Sequence, residues 1–153
     1  MFDTMAYKLE VLTLSVSDID RAVSFYSRQM GFVLDVDYHP AGNFRVVQLT
    51  PPGSACSIQI GVGLTDATPG SARTTYLVVT DIEATHRDLT ARGVDIGAIL
   101  HKSPIDDWHG GTEPGVDPQR RDYASLANFV DPDGNGWVLQ EIGYQWPGGG
   151  PRP

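Results

Sequence analysis

The sequence predicts an α+β fold made of two βαβββ modules, each a strand, a helix and three further strands. Three observations predict it: a repeated strand–Asp–helix opening, a glycine after each predicted helix, and apolar, partly alternating runs after each glycine. Because the helices cover only one face of each sheet, we expect curved mixed sheets whose opposite faces enclose a cavity.

The two openings have the same pattern. Val-Ser-Asp-Ile at 16–19 and Val-Thr-Asp-Ile at 79–82 each follow a strand-like run and precede a helix-like one. Asp18 and Asp81 are suited to be N-caps, because their side-chain oxygens can accept hydrogen bonds from amides of the first helical turn. The recurrence at a spacing of 63 residues indicates one supersecondary unit used twice.

The helices are predicted from apolar positions at helical spacing. The first stripe is more apolar than the second, and Gly31 and Gly93 suit the left-handed residue that ends many helices. The stripes are Ile19, Ala22, Val23, Tyr26 and Met30, and Ile82, Thr85, His86 and Leu89. The strand-like runs that follow are FVLDVDY, NFRVVQLT and CSIQIGVG, then VDIGAIL, YASLANFV and GWVLQEI.

Alternation predicts which side chains of a strand face the helix. On the strand before the second helix, Leu77 and Val79 are expected to face it, and Thr74, Tyr76 and Val78 to face away.

Composition bounds the class of protein. The chain has 153 residues, of which 41% are hydrophobic and 20% charged, as in ordinary globular proteins. A formal charge of −8 argues against nucleic acid and against an anionic membrane as partners. A lone cysteine, Cys56, fits a reducing compartment, and neither a signal pattern nor a membrane-spanning apolar run is visible. We therefore predict a cytoplasmic protein.

The predicted organisation is a single domain over residues 1–146. Its two modules cover about 8–64 and 72–146. Residues 102–122, rich in Gly, Pro and Asp, are predicted to form a structureless lid or binding loop, and residues 147–153 a frayed tail.

Three segments carry a family resemblance: VSDIDRAVSFYSRQMGF, VTDIEATHRDLTARGV and DPDGNGWVLQEI. From about Leu9 to Ile142 the chain resembles the glyoxalase/bleomycin-resistance/extradiol-dioxygenase superfamily, the vicinal oxygen chelate proteins. The resemblance implies a small-molecule protein and a homodimer. It does not fix the reaction, because this fold hosts isomerases, dioxygenases, thiol transferases, epimerases and drug-sequestering proteins.

The positions that hold the family's metal map onto Val11, Gln59, Thr74 and Glu141. Only Glu141 is a good ligand, and catalytic zinc or non-haem iron normally takes three protein ligands. The four histidines show neither HxH nor HxxxH spacing. We therefore expect no cofactor; the alternative is a divalent metal held by Glu141 and Gln59.

Glu141 is the acid on which the functional interpretation depends. It can be a buried carboxylate satisfied by a tyrosine, an arginine or a backbone donor, without chemistry. Alternatively, it lies on the cavity wall, where it binds a polar ligand group or acts as a general base. The mapping onto the family's cavity position favours the second role.

The same reasoning predicts the rest of the pocket. A mixed apolar, aromatic and polar wall on one face with Glu141 indicates a flat hydrophobic or aromatic ligand. The residues assigned to that face are Thr13, Gln59, Tyr76, Trp137 and Leu139.

The lid supplies further candidates. Trp108 is expected to contact the ligand, His109 to move a proton, and Arg120 or Arg121 to hold a phenolate or carboxylate. The predicted catalytic residues are Glu141, His109 and Tyr76. The predicted ligand-binding residues are Thr13, Gln59, Thr74, Trp108, Arg121 and Trp137.

Three functions remain open from the sequence. The first is a metal-free protein that sequesters a planar, hydrophobic or cationic natural product, the acidic chain favouring a cation. The second is a metal-independent enzyme on the same cavity, such as an oxygenase, isomerase or cyclase. The third is a metal-dependent dioxygenase or glyoxalase-like isomerase, in which the metal chelates two adjacent substrate oxygens.

Overall fold

The computed structural model describes residues 5–149, which cluster into two units that part between Ser71 and Ala72. Unit 1 has one helix on a four-stranded sheet, and unit 2 has one helix on a five-stranded sheet. The predicted α+β fold with two strand–helix–strands modules is confirmed. The single-domain assignment stays a prediction. Among the described residues, no helix is long and apolar enough to cross a membrane.

Unit 1 has its parallel pair of strands at one edge of the sheet. The strand order is β1-β4-β3-β2, with β1 parallel to β4 and the other pairs antiparallel. Its elements are β1 (Val11–Thr13), α1 (Ile19–Ser24) with a π-helical turn (Phe25–Gln29), β2 (Val33–Tyr38), β3 (Arg45–Thr50) and β4 (Ser57–Val62).

The first helix starts as predicted, because Asp18 accepts a hydrogen bond from the Arg21 amide at 3.0 Å. Its second half is a π-helical turn, which adds residues per turn and shifts the phase of the apolar stripe. Phe25 is therefore buried together with Tyr26. Gly31 follows with a φ of 75°, the left-handed conformation predicted for it.

Unit 2 repeats the arrangement with one extra strand. The strand order is β5-β9-β8-β6-β7, with β5 parallel to β9 and the other pairs antiparallel. Its elements are β5 (Thr75–Val79), α2 (Ile82–Ala91), β6 (Leu100–Lys102), β7 (Thr112–Pro114), β8 (Ser125–Val130), β9 (Gly136–Glu141) and a 3-10 turn (Pro147–Gly149).

The second helix also confirms its predicted ends. The Asp81 carboxylate accepts from the Ala84 amide at 3.0 Å, and Gly93 has a φ of 86°. Ile82 and Leu89 are buried. His86 lies at the edge of the helix, where its Nε2 is 2.9 Å from the Gly97 carbonyl oxygen.

Two predicted irregular segments are partly regular. The lid assigned to 102–122 contains β7, which pairs with β6 to form a short hairpin. Backbone pairing alone forms this strand, since its three residues are all exposed and carry no apolar alternation to detect. In the predicted tail, Pro147–Gly149 form a 3-10 turn. The rest of that tail, residues 150–153, lies outside the described residues.

The faces of β9 are opposite to the sequence assignment. Trp137, Leu139 and Glu141 are buried on the side where α2 packs, and Val138 and Gln140 point the other way. On β5, Tyr76 and Val78 are exposed, as predicted. Because Tyr76 and Val138 are register partners, they share the face away from the helix.

Candidate functional site

The face of the unit 2 sheet away from α2, here called the open face, is defined by side chains that strand register brings together. Tyr76 and Asn128 are both partners of Val138. Leu126 is the partner of Gln140 and of Leu100, and Lys102 is the partner of Thr112. Neighbouring register partners point to the same side, so five strands contribute to one surface.

A pocket of about 330 Å³ lies on the open face, within the size range of small-molecule sites. Its wall contains two aromatic side chains, three aliphatic ones and four with polar ends. The lining residues are Tyr76, Leu100, Lys102, Trp108, Thr112, Leu126, Asn128, Val138 and Gln140. An apolar wall with a few polar groups is the usual composition of a ligand pocket.

Trp108 comes from the loop between β6 and β7 and forms one wall of the pocket. Its indole nitrogen donates a hydrogen bond to the Gly111 carbonyl oxygen, which fixes the ring within the hairpin. The Lys102 ammonium lies 4.5 Å from the centre of the Trp108 ring, a cation–π contact. Trp108, expected from the sequence to contact the ligand, thus lines this pocket, and its part in binding stays a prediction.

The polar groups of the pocket have unused hydrogen-bonding capacity. Among the described residues, none is hydrogen-bonded to the side-chain amide of Asn128 or Gln140. Each amide offers two donors and one acceptor oxygen. A ligand with carbonyl or hydroxyl oxygens therefore has partners on the floor of the pocket.

The opposite face of the same sheet holds a buried ion pair. Glu141 is 0% exposed. Arg120 donates to it twice, Nε to Oε1 at 2.8 Å and Nη2 to Oε2 at 2.6 Å. The Ile82 amide also donates to Oε2, at 2.9 Å. Both carboxylate oxygens are thus used by the first turn of α2 and by one guanidinium.

Arg120 has further partners. Its Nη1 donates to Glu83 at 2.8 Å, its Nη2 is 3.5 Å from Asp81, and its guanidinium carbon lies 3.6 Å from the centre of the Tyr144 ring. The hydrogen bonds that Arg120 donates to Glu141 raise the pKa of Arg120 above its usual value, against the effect of burial. Arg120 has a φ of 50°, an uncommon conformation that these contacts hold in place.

These contacts correct the predicted role of Glu141. The carboxylate does not lie on the wall of the pocket, and its partners are an arginine and a backbone amide, which is the non-catalytic alternative raised from the sequence. Trp137 and Leu139 belong to the same buried face and pack in the core. Of the aromatic residues assigned to the pocket, Tyr76 and Trp108 line it and Trp137 does not.

Arg121 is engaged in a second ion pair rather than lining the pocket. Its Nε and Nη2 donate to the buried Asp117 carboxylate, each at 2.9 Å. The Arg121 and Gln119 amides donate to the same carboxylate. The Arg121 hydrogen bonds hold the pKa of Asp117 down at about 2, against the effect of burial. Asp117 thereby fixes the loop that leads from β7 into β8.

Other predicted residues are dispersed. His109 is 85% exposed and pairs with Asp107 at 3.0 Å, and it does not line the pocket. Thr74 is exposed and lies just before β5. In unit 1, the Gln59 amide donates to the Thr13 hydroxyl at 2.7 Å, so these two residues do lie together. Their part in binding stays a prediction.

Unit 1 has a second pocket, of about 380 Å³, near the start of α1. Its walls are more polar, and its cation, Arg45, is already paired with Asp20 at 2.8 Å and with Asp37 at 2.9 Å. The guanidinium lowers the pKa of Asp37 through these hydrogen bonds. The open-face pocket of unit 2 is the better candidate, because no described residue is hydrogen-bonded to its Asn128 and Gln140 side-chain amides.

The residues at the family's metal positions do not fit a metal. Glu141 has both oxygens occupied on the buried face, and the Gln59 amide nitrogen donates to Thr13. The side chain of Val11 has no atom that can bind a metal. Over residues 5–149, no group of three His, Cys, Asp or Glu side chains is placed to hold a metal ion.

Sequence reasoning missed most of the pocket. The missed lining residues are Leu100, Lys102, Thr112, Leu126, Asn128, Val138 and Gln140. A signal for part of them was present, because Trp137 and Leu139 are the larger apolar side chains of β9 and mark its core face. Val138 and Gln140, at the alternate positions, then belong to the other face.

Comparison with known proteins places the chain in a family. The profile of the Glyoxalase/Bleomycin resistance protein/Dioxygenase superfamily matches residues 8–139. The chain belongs to this superfamily, and its two mixed sheets with few helices are the vicinal oxygen chelate fold. No protein of curated function matches the sequence.

Solved structures support the assignment. TnmS3, an antibiotic binding protein from Streptomyces sp. CB03234, is 26% identical, with a TM-score of 0.68 over 92% of this chain and 100% of that one. A glyoxalase/bleomycin resistance protein from the same organism is 27% identical, with a TM-score of 0.64 over 88% and 100%. A superfamily member from Sphaerobacter thermophilus DSM 20745 is 27% identical, with a TM-score of 0.66 over 90% and 98%.

Proposed function

We propose that this protein binds a small, largely apolar aromatic compound in the open-face pocket of unit 2, without the family's usual metal site. The observation that carries the proposal is the pocket itself, which Tyr76 and Trp108 line together with aliphatic side chains. Within residues 5–149, nothing is hydrogen-bonded to its Asn128 and Gln140 side-chain amides. Aromatic walls favour a planar ligand, and the amides orient its oxygens. The similarity to an antibiotic binding protein supports binding as the function.

The binding function is favoured over catalysis by the placement of the candidate acid–base groups. Glu141 is buried in an ion pair on the other face of the sheet, and His109 lies outside the pocket. Of the three predicted catalytic residues, only Tyr76 lines the pocket. A general base must reach the proton it removes, so this pocket is better suited to holding a compound than to transforming it.

Replacing Val138 with Glu tests the pocket. A carboxylate in the apolar wall must be desolvated when a neutral aromatic ligand binds, so we expect affinity for naphthalene-2-carboxamide to fall at least about tenfold. Binding is measured by NMR titration of the Trp108 indole and the Asn128 and Gln140 side-chain amides. In the unsubstituted protein these signals are expected to move together.

Val130→Glu is the matched control, because Val130 is an exposed valine of β8 that does not line the pocket. It is expected to bind the probe like the unsubstituted protein. Two results contradict the proposed site. One is equal affinity of V138E and V130E for the probe, and the other is a titration in which only NMR signals of residues outside the pocket shift.

We also propose that the protein is a homodimer. Strand β2 is an edge of the unit 1 sheet and exposes Val33, Leu34, Val36 and Tyr38 along its length. An exposed apolar edge strand is uncommon in a monomer, because its unpaired backbone groups and side chains promote association.

Light scattering after gel filtration tests the dimer. The expected mass is twice that of one chain, and Val36→Lys is expected to shift the protein to one chain mass. V130E again serves as the control for adding a charge to an exposed valine. A single-chain mass for the unsubstituted protein at high concentration contradicts the dimer. The cytoplasmic location stays a prediction.

A further inference from the structure

Lys102 is a cation in a strongly acidic protein, and it lies in the pocket. Among the described residues that line the open-face pocket, it is the one charged side chain. The chain as a whole has a formal charge of −8. The local charge of the pocket is thus opposite in sign to that of the protein.

Within the part of the chain that the structure describes, no carboxylate is paired with the Lys102 ammonium. No ion pair involving Lys102 exists among residues 5–149, whereas Arg45, Arg92, Arg120 and Arg121 are all paired with acids. Its described contact is the face of Trp108, which holds the ammonium beside the pocket. Lys102 is also only partly exposed.

We infer that the pocket selects an aromatic ligand bearing an acidic oxygen, such as a carboxylate, phenolate or enolate, which pairs with Lys102. This inference deepens the proposed function and rests on it. The apolar body of the ligand lies against Leu100, Leu126 and Val138, and its anionic oxygen replaces water at the ammonium. An ion pair beside an apolar wall is stronger than one in open water, because screening is weaker there. The preference for a cation that the overall charge suggested is therefore reversed.

A matched pair of probes tests the charge preference. Naphthalene-2-carboxylate and naphthalene-2-carboxamide differ mainly in charge, and calorimetry at neutral pH measures Kd for each. We expect the unsubstituted protein to bind the carboxylate about tenfold more tightly, the usual scale for one charge-assisted contact. In Lys102→Met this ratio is expected to fall to about one, and in Lys102→Arg to be largely retained.

The chain offers an internal control, since it has two lysines, Lys8 and Lys102. Lys8 is exposed and precedes β1, so Lys8→Met changes the net charge equally and is expected to keep the tenfold ratio. A second readout needs no substitution: ¹³C-methylated lysines give two side-chain signals. The Lys102 signal, shifted by the Trp108 ring, is expected to move with the carboxylate and not with the carboxamide.

The possible results separate the inferred preference for an anionic ligand from the proposed binding function. A tenfold ratio that is lost in K102M and kept in K8M supports the inference. Equal binding of both probes through Trp108, Asn128 and Gln140, or a ratio unchanged in K102M, overturns the inference and leaves the proposed function standing. Absence of binding by both probes at millimolar concentration overturns both.

Discussion

Replacing Arg120 with methionine is expected to lower the free energy of unfolding by about 3–5 kcal/mol, because it leaves a charged Glu141 buried without its partner. Glu141 is 0% exposed, and Arg120 donates a hydrogen bond to each of its two carboxylate oxygens, at 2.8 and 2.6 Å. The same substitution removes the ion pair to Glu83 and the contact with Tyr144.

Urea denaturation at neutral pH measures this loss. Arg92→Met is the control, because Arg92 pairs with Asp88 at an exposed position, where an ion pair contributes less than about 1 kcal/mol. The double variant R120M/E141L removes both charges and is expected to be more stable than R120M alone. If the free energy of unfolding of R120M is within about 1 kcal/mol of that of the unsubstituted protein, the buried Arg120–Glu141 pair does not stabilise the fold as expected here.

Replacing Asp117 with asparagine is expected to cost about 2 kcal/mol at neutral pH. The pKa of Asp117 is about 2 in the folded protein and 3.8 for a free side chain, so the ionised form stabilises the fold. Because the folded pKa is the lower one, this stabilisation is fully present above about pH 4. It is lost as the pH falls through 3 towards 2.

The difference between the unsubstituted protein and D117N is therefore expected to shrink with acid. At pH 3 about half of it should remain, as follows from the two pKa values. Urea denaturation at pH 7, 5 and 3 measures it, with Asp88→Asn as the control for an exposed, paired aspartate. A difference that is independent of pH between 7 and 3 argues against a lowered pKa at Asp117.

The parts of the fold that local chemistry determines were predictable from the sequence. Asp18 and Asp81 cap the helices because a short carboxylate side chain reaches the first free amides, and this pattern is visible in a few residues. Gly31 and Gly93 end the helices for an equally local reason. Strands β3, β4, β8 and β9 follow from apolar, β-branched runs between turns.

The face of β9 was predicted wrongly because two lines of reasoning conflicted. The family's metal position suggested that Glu141 faces a cavity, whereas its alternation with Trp137 and Leu139 indicates the core. The structure follows the alternation. A carboxylate at a core position requires a partner, and that partner, Arg120, lies 21 residues earlier in a loop. No local pattern in the sequence connects the two residues.

The pocket was only partly predictable for a similar reason. Tyr76 and Trp108 are conspicuous as aromatic residues, but Lys102, Asn128 and Gln140 become neighbours only through the register of five strands. Register depends on long-range pairing, and β6 and β7 are three residues each. Composition shows that the chain is acidic, but it cannot show that Lys102 lies in the pocket.

A crystal structure of the complex with naphthalene-2-carboxylate tests most directly whether the two faces of β9 have separate roles. The predicted result is a ligand over Val138 and Gln140 with its carboxylate at Lys102, while Glu141 keeps its hydrogen bonds to Arg120 and the Ile82 amide. A ligand or a metal ion bonded to the Glu141 carboxylate would contradict it.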